Sequence, residues 1–196
     1  EDAGPPEVID QIEEAGVPVF MVPEEDTVDG AFEKIRTIGA ILGAEREADE
    51  IVDGIETDIE EARERAGEFS ADDPVRVLFV YARGSGSVNA SGHGTAAHAM
   101  IELAGAENAV DGYDGFRSLT PESAVEAEPD VLLFMDSGLA SLGGEEGLSE
   151  IESLRLTPAY EEDRIASMDG TYLLGFGPRL GEAVGDLVVE LQDVME

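Results

Sequence analysis

The chain has 196 residues, 42% of them hydrophobic, no cysteine, and a formal net charge of −35. That length and apolar content support one substantial core, or one core plus a fragment of another, while the lack of cysteine excludes disulfides, thiolate metal sites and cysteine nucleophiles. Lys34 is the sole lysine beside ten arginines, which argues against nucleic acid as a partner, because phosphate binding needs clustered cations; no apolar run approaches the roughly 20 residues of a membrane span.

The apolar runs VLFVYA and VLLFM argue for a folded chain rather than a disordered polyanion. An acidic surface that keeps a protein dissolved where salt shortens the Debye length implies an extreme halophile as source. The chain starts at Glu1 without a methionine or an apolar signal segment, so it is expected to be a processed protein or a piece of a longer one.

Pro5 and Pro6 open a short predicted helix over about 5–15, with Val8, Ile9 and Ile12 at helical spacing and Gly16 ending it. VPVFMV, 17–22, is expected to be a buried strand. Thr27 can cap a second helix that places Ala31, Ile35, Ile38 and Leu42 inside and closes at Gly43. A long charged helix over about 45–66 carries Ala48, Ile51, Val52, Ile55, Ile59 and Ala62 along a narrow stripe, with its carboxylates facing water. After the loop FSADDP, 69–74, strands are predicted at 75–81, 131–135 and about 165–168, and helices at about 94–104, 120–127, 145–153 and 179–195. Buried strands alternating with helices mean a parallel α/β sheet. The second half is long enough for a lobe of its own, whereas one helix and one strand in the first 26 residues are not, so most of an N-terminal lobe is expected to be missing.

The segment VRVLFVYARGSGSVNASGHGTAAHAMIELA, 75–104, joins an apolar strand through a glycine-rich loop to a helix opening near Gly94 or Thr95. That order predicts a ligand crevice at the strand's carboxyl end, with free helix N–H groups aimed at it. A nucleotide-binding enzyme domain is the rival reading. Gly84 and Gly86 supply G-x-G, but Asn89 stands at the third glycine position and no G-K-[ST] follows, so both nucleotide fingerprints fail. No G-x-S-x-G elbow is present and neither histidine has a recognisable serine partner, which argues against a hydrolase. Enzymatic function is not expected.

RVLFVYARGSGSVNASGHGTAAHAMIELAGAENAV, RSLTPESAVEAEPDVLLFMDSGLASLGGEEGL and LTPAYEEDRIASMDGTYLLGFGPRLGEAV together resemble the haem-type substrate-binding proteins of ABC importers, in the class that also serves cobalamin and iron siderophores. The resemblance extends over essentially the whole chain. It implies an α/β fold of two lobes joined by one long helix: a remnant of the N-terminal lobe at 1–44, the connecting helix at 45–68, and a C-terminal lobe at 69–196 built on a parallel sheet flanked by helices. The implied role is an extracellular or cell-surface protein, lipid-anchored through a segment outside this chain, that binds haem between the lobes and delivers it to a membrane permease and its ATPase. Haem is then a transported ligand, with cobalamin or a ferric siderophore as the alternative. The segment that usually supplies an axial tyrosine falls upstream of Glu1 in the resemblance, and weak or absent haem affinity is expected for residues 1–196 alone.

Arg83, Ser85, Ser87, Asn89 and His93 are the loop residues expected to face the cleft. A guanidinium at Arg83 suits a haem propionate, and His93 is the candidate iron ligand through a neutral ring nitrogen. His98, five positions on and about 140° around a helix, does not share a face with His93 and is expected to be structural. The resemblance places Tyr172 and Phe176 against the porphyrin and sets Arg179 beside them. Met135 and Asp136 fall at cleft height, Met135 as core. Glu122 matches a position where the class carries a glutamate that meets permease arginines, although its place early in a helix is already favourable through the helix dipole.

Overall fold

The computed structural model describes residues 5–22, 25–67, 74–84 and 88–196. Three helices come first: α1 (Pro6–Glu14), α2 (Val28–Leu42) and α3 (Glu45–Ala66). The sheet region follows with β1 (Arg76–Ala82), β2 (Val88–Ser91), α4 (Ala96–Leu103), β3 (Glu107–Asn108), β4 (Phe116–Ser118), α5 (Pro121–Ala127) and β5 (Val131–Met135). Four short helices, α6 (Asp136–Ser141), α7 (Glu145–Leu148), α8 (Glu152–Arg155) and α9 (Pro158–Glu161), lead to β6 (Ile165–Met168), α10 (Gly170–Leu174) and α11 (Leu180–Met195).

The strand order is β4-β2-β1-β5-β6, with β3 beside the amino end of β1. β1, β5 and β6 run parallel, as their unbroken apolar sequences require of strands covered on both faces. Val77 and Phe79 point toward α3, α4 and α11, while Leu78, Val80 and Ala82 point to the opposite face with Leu132, Phe134, Ala124 and Leu154. Each such side chain, fully buried, contributes about 1.5–3 kcal/mol. The sheet is nevertheless mixed rather than purely parallel, because β2 turns back antiparallel along β1 and β4 returns antiparallel along β2.

Helix boundaries follow cap chemistry. The Thr27 hydroxyl accepts from Gly30 N at 3.0 Å, and Gly43 closes α2 in the left-handed conformation at φ 68°. α3 buries Ala48, Val52, Ile55, Ile59, Ala62 and Ala66, and together with Phe32 and Ile35 of α2 these join one core with the sheet.

Three local expectations fail. VPVFMV is irregular and pairs with no strand among the described residues, with Phe20 61% exposed; an apolar run becomes a strand only where a neighbour supplies hydrogen bonds. Ile38 and Leu42 lie outside, because the buried line of α2 runs through Ala31, Ile35 and Gly39 and leaves them bordering a shallow groove against Ile51. The single helix predicted at 145–153 is broken at Ser149–Ile151, where Ile151 is extended.

The α3–α11 crossing depends on Gly181. A Cβ there would overlap the Asp58 Cβ and approach the Ile55 carbonyl oxygen at 3.0 Å, whereas nothing lies within 4 Å of a Cβ on Gly54, also in α3. Gly181→Val is expected to cost about 1–3 kcal/mol by forcing the helices apart, and Gly54→Ala to gain about 0.5–1 kcal/mol from helix propensity. Thermal unfolding of the two variants beside the parent checks both signs.

Candidate functional site

Parallel strands of an α/β sheet end at a crevice, and here the carboxyl ends of β1, β5 and β6 enclose an open one of about 640 Å³. β1 contributes Tyr81 and, just past its end, Arg83 and Gly84; β5 contributes Met135; Ser137 and Ser141 come from α6; Asp169, Gly170 and Thr171 follow β6. Gly84 N donates to the Ser141 hydroxyl at 2.9 Å, and that hydroxyl donates to Gly138 O at 2.7 Å, so the end of β1 is tied to α6. Gly170 leaves room for Met135, whose sulfur would lie 2.6 Å from any Cβ placed there. Asp136 accepts from the Ser167 hydroxyl at 2.8 Å at the crevice's β5–β6 side.

Tyr81 is the residue that sequence reasoning passed over, as the last apolar residue of a strand. Its ring lies 5.5 Å from the Arg83 guanidinium and 5.5 Å from the Phe116 ring. Its hydroxyl makes no hydrogen bond among the described residues. The signal available was Tyr-x-Arg at the end of a buried strand, which occurs once in the chain, at Tyr81-Ala82-Arg83.

The other sequence candidates divide. Arg83 lines the crevice. Asn89 lies in β2 opposite both Tyr81 and Ser118, so it shares the Tyr81 face and is half-buried. Ser85 and Ser87 lie outside the described residues. β2 ends at Ser91, and beside Val77 β1 pairs with Asn108 of β3; His93, past the end of β2, bonds its backbone to Tyr113 and Gly115 and is not among the residues that line the crevice. Residues 88–91 of the glycine-rich loop are a returning strand, so α4 opens after β2 rather than directly from the end of β1.

His93 also has its ring engaged. Asn108 Nδ2 donates to Ser91 O at 2.9 Å and lies 3.2 Å from His98 Nδ1, while His98 Nε2 lies 3.0 Å from His93 Nδ1 and 3.4 Å from Glu102 Oε2. The two rings meet edge to face, centroids 4.5 Å apart, because His93 precedes the helix and angular spacing on the helix does not apply to it. No cluster of three or more metal-ligating side chains occurs among the described residues.

Tyr172 is turned toward α11. Its hydroxyl donates to Asp186 Oδ2 at 2.8 Å and the Arg179 guanidinium covers its ring at 4.6 Å. Phe176 is 2% exposed in the core, at φ 40°, so it is not a crevice wall; the turn before α11 points it inward. Met135 is half-buried and lines the crevice, at once core and wall. Glu122 is exposed in the first turn of α5. That helix starts at the crevice edge, where Leu119 N donates to Val88 O, and ends at the far edge, where Asp130 N donates to Arg76 O.

The profile of the periplasmic binding protein family matches residues 3–172. The chain belongs to that family. Among solved periplasmic binding proteins, the haem-binding protein RhuT of Roseiflexus sp. RS-1, in its apo form, aligns with a TM-score of 0.91 at 39% identity, covering 100% of this chain and 74% of its own. The haem-binding protein HmuT aligns with a TM-score of 0.85 at 30% identity over 96% of this chain and 62% of its own. HmuT has also been solved with a tyrosine, and separately with an arginine two positions further on, replaced by alanine. Among curated proteins, the uncharacterised ABC transporter substrate-binding lipoprotein YvrC of Bacillus subtilis (strain 168) is 27% identical over 182 residues, 92% of this chain. The chain spans 56% of the length of that relative. A periplasmic binding protein is not an enzyme, in keeping with the failed nucleotide and hydrolase fingerprints.

Burial first, then the Asp186 hydrogen bond and the surrounding carboxylates, push the Tyr172 phenol up to about 12. A raised acid is favoured in its protonated form, so this contribution to stability is whole below the ordinary tyrosine value of 10 and is lost as pH rises from 10 toward 12. Ultraviolet titration is expected to show a late-ionising phenol that disappears in Tyr172→Phe.

Proposed function

We propose that this chain is the substrate-binding component of an ABC importer, working outside the cytoplasm, and that its crevice takes haem for delivery to a membrane permease and its ATPase. The observation that carries this reading is the Tyr81–Arg83 pair at the crevice: a phenol whose oxygen has no hydrogen bond among the described residues, and a guanidinium beside its ring. Ferric iron is a hard ion, and a phenolate is one of the protein ligands that hold haem iron. The Arg83 guanidinium, 5.5 Å from the ring, leaves N–H donors for a propionate. Tyr81 thus replaces His93 as the iron ligand in this reading.

Support comes from the haem-binding RhuT and HmuT, and from the tyrosine and arginine two positions apart that were replaced in HmuT. YvrC supports the ABC assignment and, as a lipoprotein, a location outside the cytoplasm held by a lipid anchor. Arg83 and Asn89 stay in the proposed ligand contacts, with Met135 and Thr171 added as walls. Phe176 and Tyr172 act behind the site, one as core and the other as the bolt between α10 and α11.

Because weak affinity is expected of residues 1–196 alone, haemin is titrated to excess, where it is expected to shift the Soret band and produce a ferric–phenolate charge-transfer band in the visible. Tyr81→Phe should remove that band and weaken binding by ~10-fold or more. Equal spectra for parent and variant would sink Tyr81 as ligand, and a cobalamin or ferric-siderophore signal without any haemin response would replace the ligand. Permease docking is proposed for Glu122, an exposed carboxylate on the crevice-side end of α5. In reconstituted transporter, Glu122→Arg is expected to lower binding-protein-stimulated ATPase without altering the haemin spectrum.

A further inference from the structure

Three tyrosines in this chain carry an arginine over the ring: Tyr81 with Arg83, Tyr113 with Arg117 at 4.4 Å, and Tyr172 with Arg179 at 4.6 Å. Two of them are also held by their tips. Tyr113 donates its hydroxyl proton to Ala90 O at 3.1 Å, and Tyr172 donates to Asp186. Tyr81 has no such bond among the described residues, so among them it is ring contacts that hold its side chain. Arg83 lies 5.5 Å from the ring centroid, and the Phe116 ring meets it with centroids 5.5 Å apart and planes inclined at 55°.

Phe116 has no other evident task. It sits on β4, an edge strand of three exposed residues that among the described residues pairs with β2, and it is 49% exposed. The register puts it where it can work. Asn89 pairs with both Tyr81 and Ser118, and Ser91 pairs with Phe116, so Phe116 shares the Tyr81 face one pair further back. The Tyr81 side chain therefore leans over β2 to reach it. Tilted contact between two rings restricts rotation about the Tyr81 side-chain bonds without occupying its hydroxyl.

We propose that Phe116 is the positioning residue of the iron ligand: it holds the Tyr81 phenol at the angle from which its oxygen meets haem iron. This rests on the reading of Tyr81 as that ligand. The antiparallel β2–β4 arm then has a purpose, which is to bring an aromatic ring from the sheet edge to the end of β1.

The test is haemin titration of the parent, Tyr81→Phe, Phe116→Ala and Phe116→Tyr, read by the visible charge-transfer band, by low-temperature electron paramagnetic resonance and by the haemin dissociation rate. Phe116→Ala is expected to unfold at the parent temperature, to broaden or weaken the charge-transfer band, and to release haemin roughly 2- to 12-fold faster. Phe116→Tyr, which keeps the ring, should restore both signals. A Phe116→Ala protein with the parent spectrum overturns the inference, and faster release with an unchanged spectrum overturns it too, since that would mark Phe116 as a plain ligand contact. Those results leave Tyr81 standing as ligand. If instead the parent and Tyr81→Phe give the same spectrum, or haemin shifts no band at all, the reading beneath the inference has failed.

Discussion

Everything in this fold is arranged around one strand covered on both faces. Val77, Leu78, Phe79 and Val80 of β1 have no exposed surface, so helices must pack on each side of the sheet and the strand can meet solvent only at its ends. α3 and α11 cover one face and α5, α8 and α9 the other. The carboxyl end is where the chain must turn, and the turn carries Arg83 and Gly84 into the crevice. Tyr81, one residue before the last of the strand, belongs to the packed sheet by its backbone and to the crevice by its ring. A ligand group placed this way takes its rigidity from the core rather than from a loop.

Electrostatics pull in a different direction. A net charge of −35 spreads a repulsive field over any anionic ligand that approaches. A lone guanidinium acts over a few ångströms, whereas the field of dispersed surface carboxylates is screened within a Debye length of about 8 Å at physiological salt and about 3 Å at 1 M. High salt therefore removes the long-range repulsion and leaves Arg83 its local attraction to a propionate. The acidic surface and a basic residue in the crevice are compatible for that reason. Like-charge pressure is visible on α11, where Glu190 is pushed above the ordinary carboxyl range by burial first, then by Asp193, Asp136 and Asp186.

Much of the frame was legible in the residues. The strands β1, β5 and β6, the cap at Thr27, the helix openings near Thr95 and Thr120, and the closing Gly43 emerged from local patterns and fell within a residue or two of their places. The site was legible only in part. Arg83 was found because a strand end followed by a loop is a sequence feature. Tyr81 was not, since a tyrosine closing an apolar run reads like one more strand residue. His93 attracted attention as a loop residue just before a helix, yet its backbone bonds to Tyr113 and Gly115, its ring meets His98, and it is not among the residues that line the crevice.

The amino-acid sequence by itself determined which segments are buried strands, where the capped helices begin, and that the crevice lies at the end of β1. Apolar periodicity and cap hydrogen bonds are local, and they act on neighbours along the chain. Only the tertiary structure decided that VPVFMV pairs with no strand among the described residues, that residues 88–91 run back as a strand, that His93 meets His98, and that Phe116 reaches Tyr81. Each of these depends on hydrogen bonds or ring contacts between residues brought together by the pairing of β1, β2 and β4. Short or polar strands such as VNAS and FRS carry no periodicity of their own; the neighbour that satisfies their backbone makes them strands.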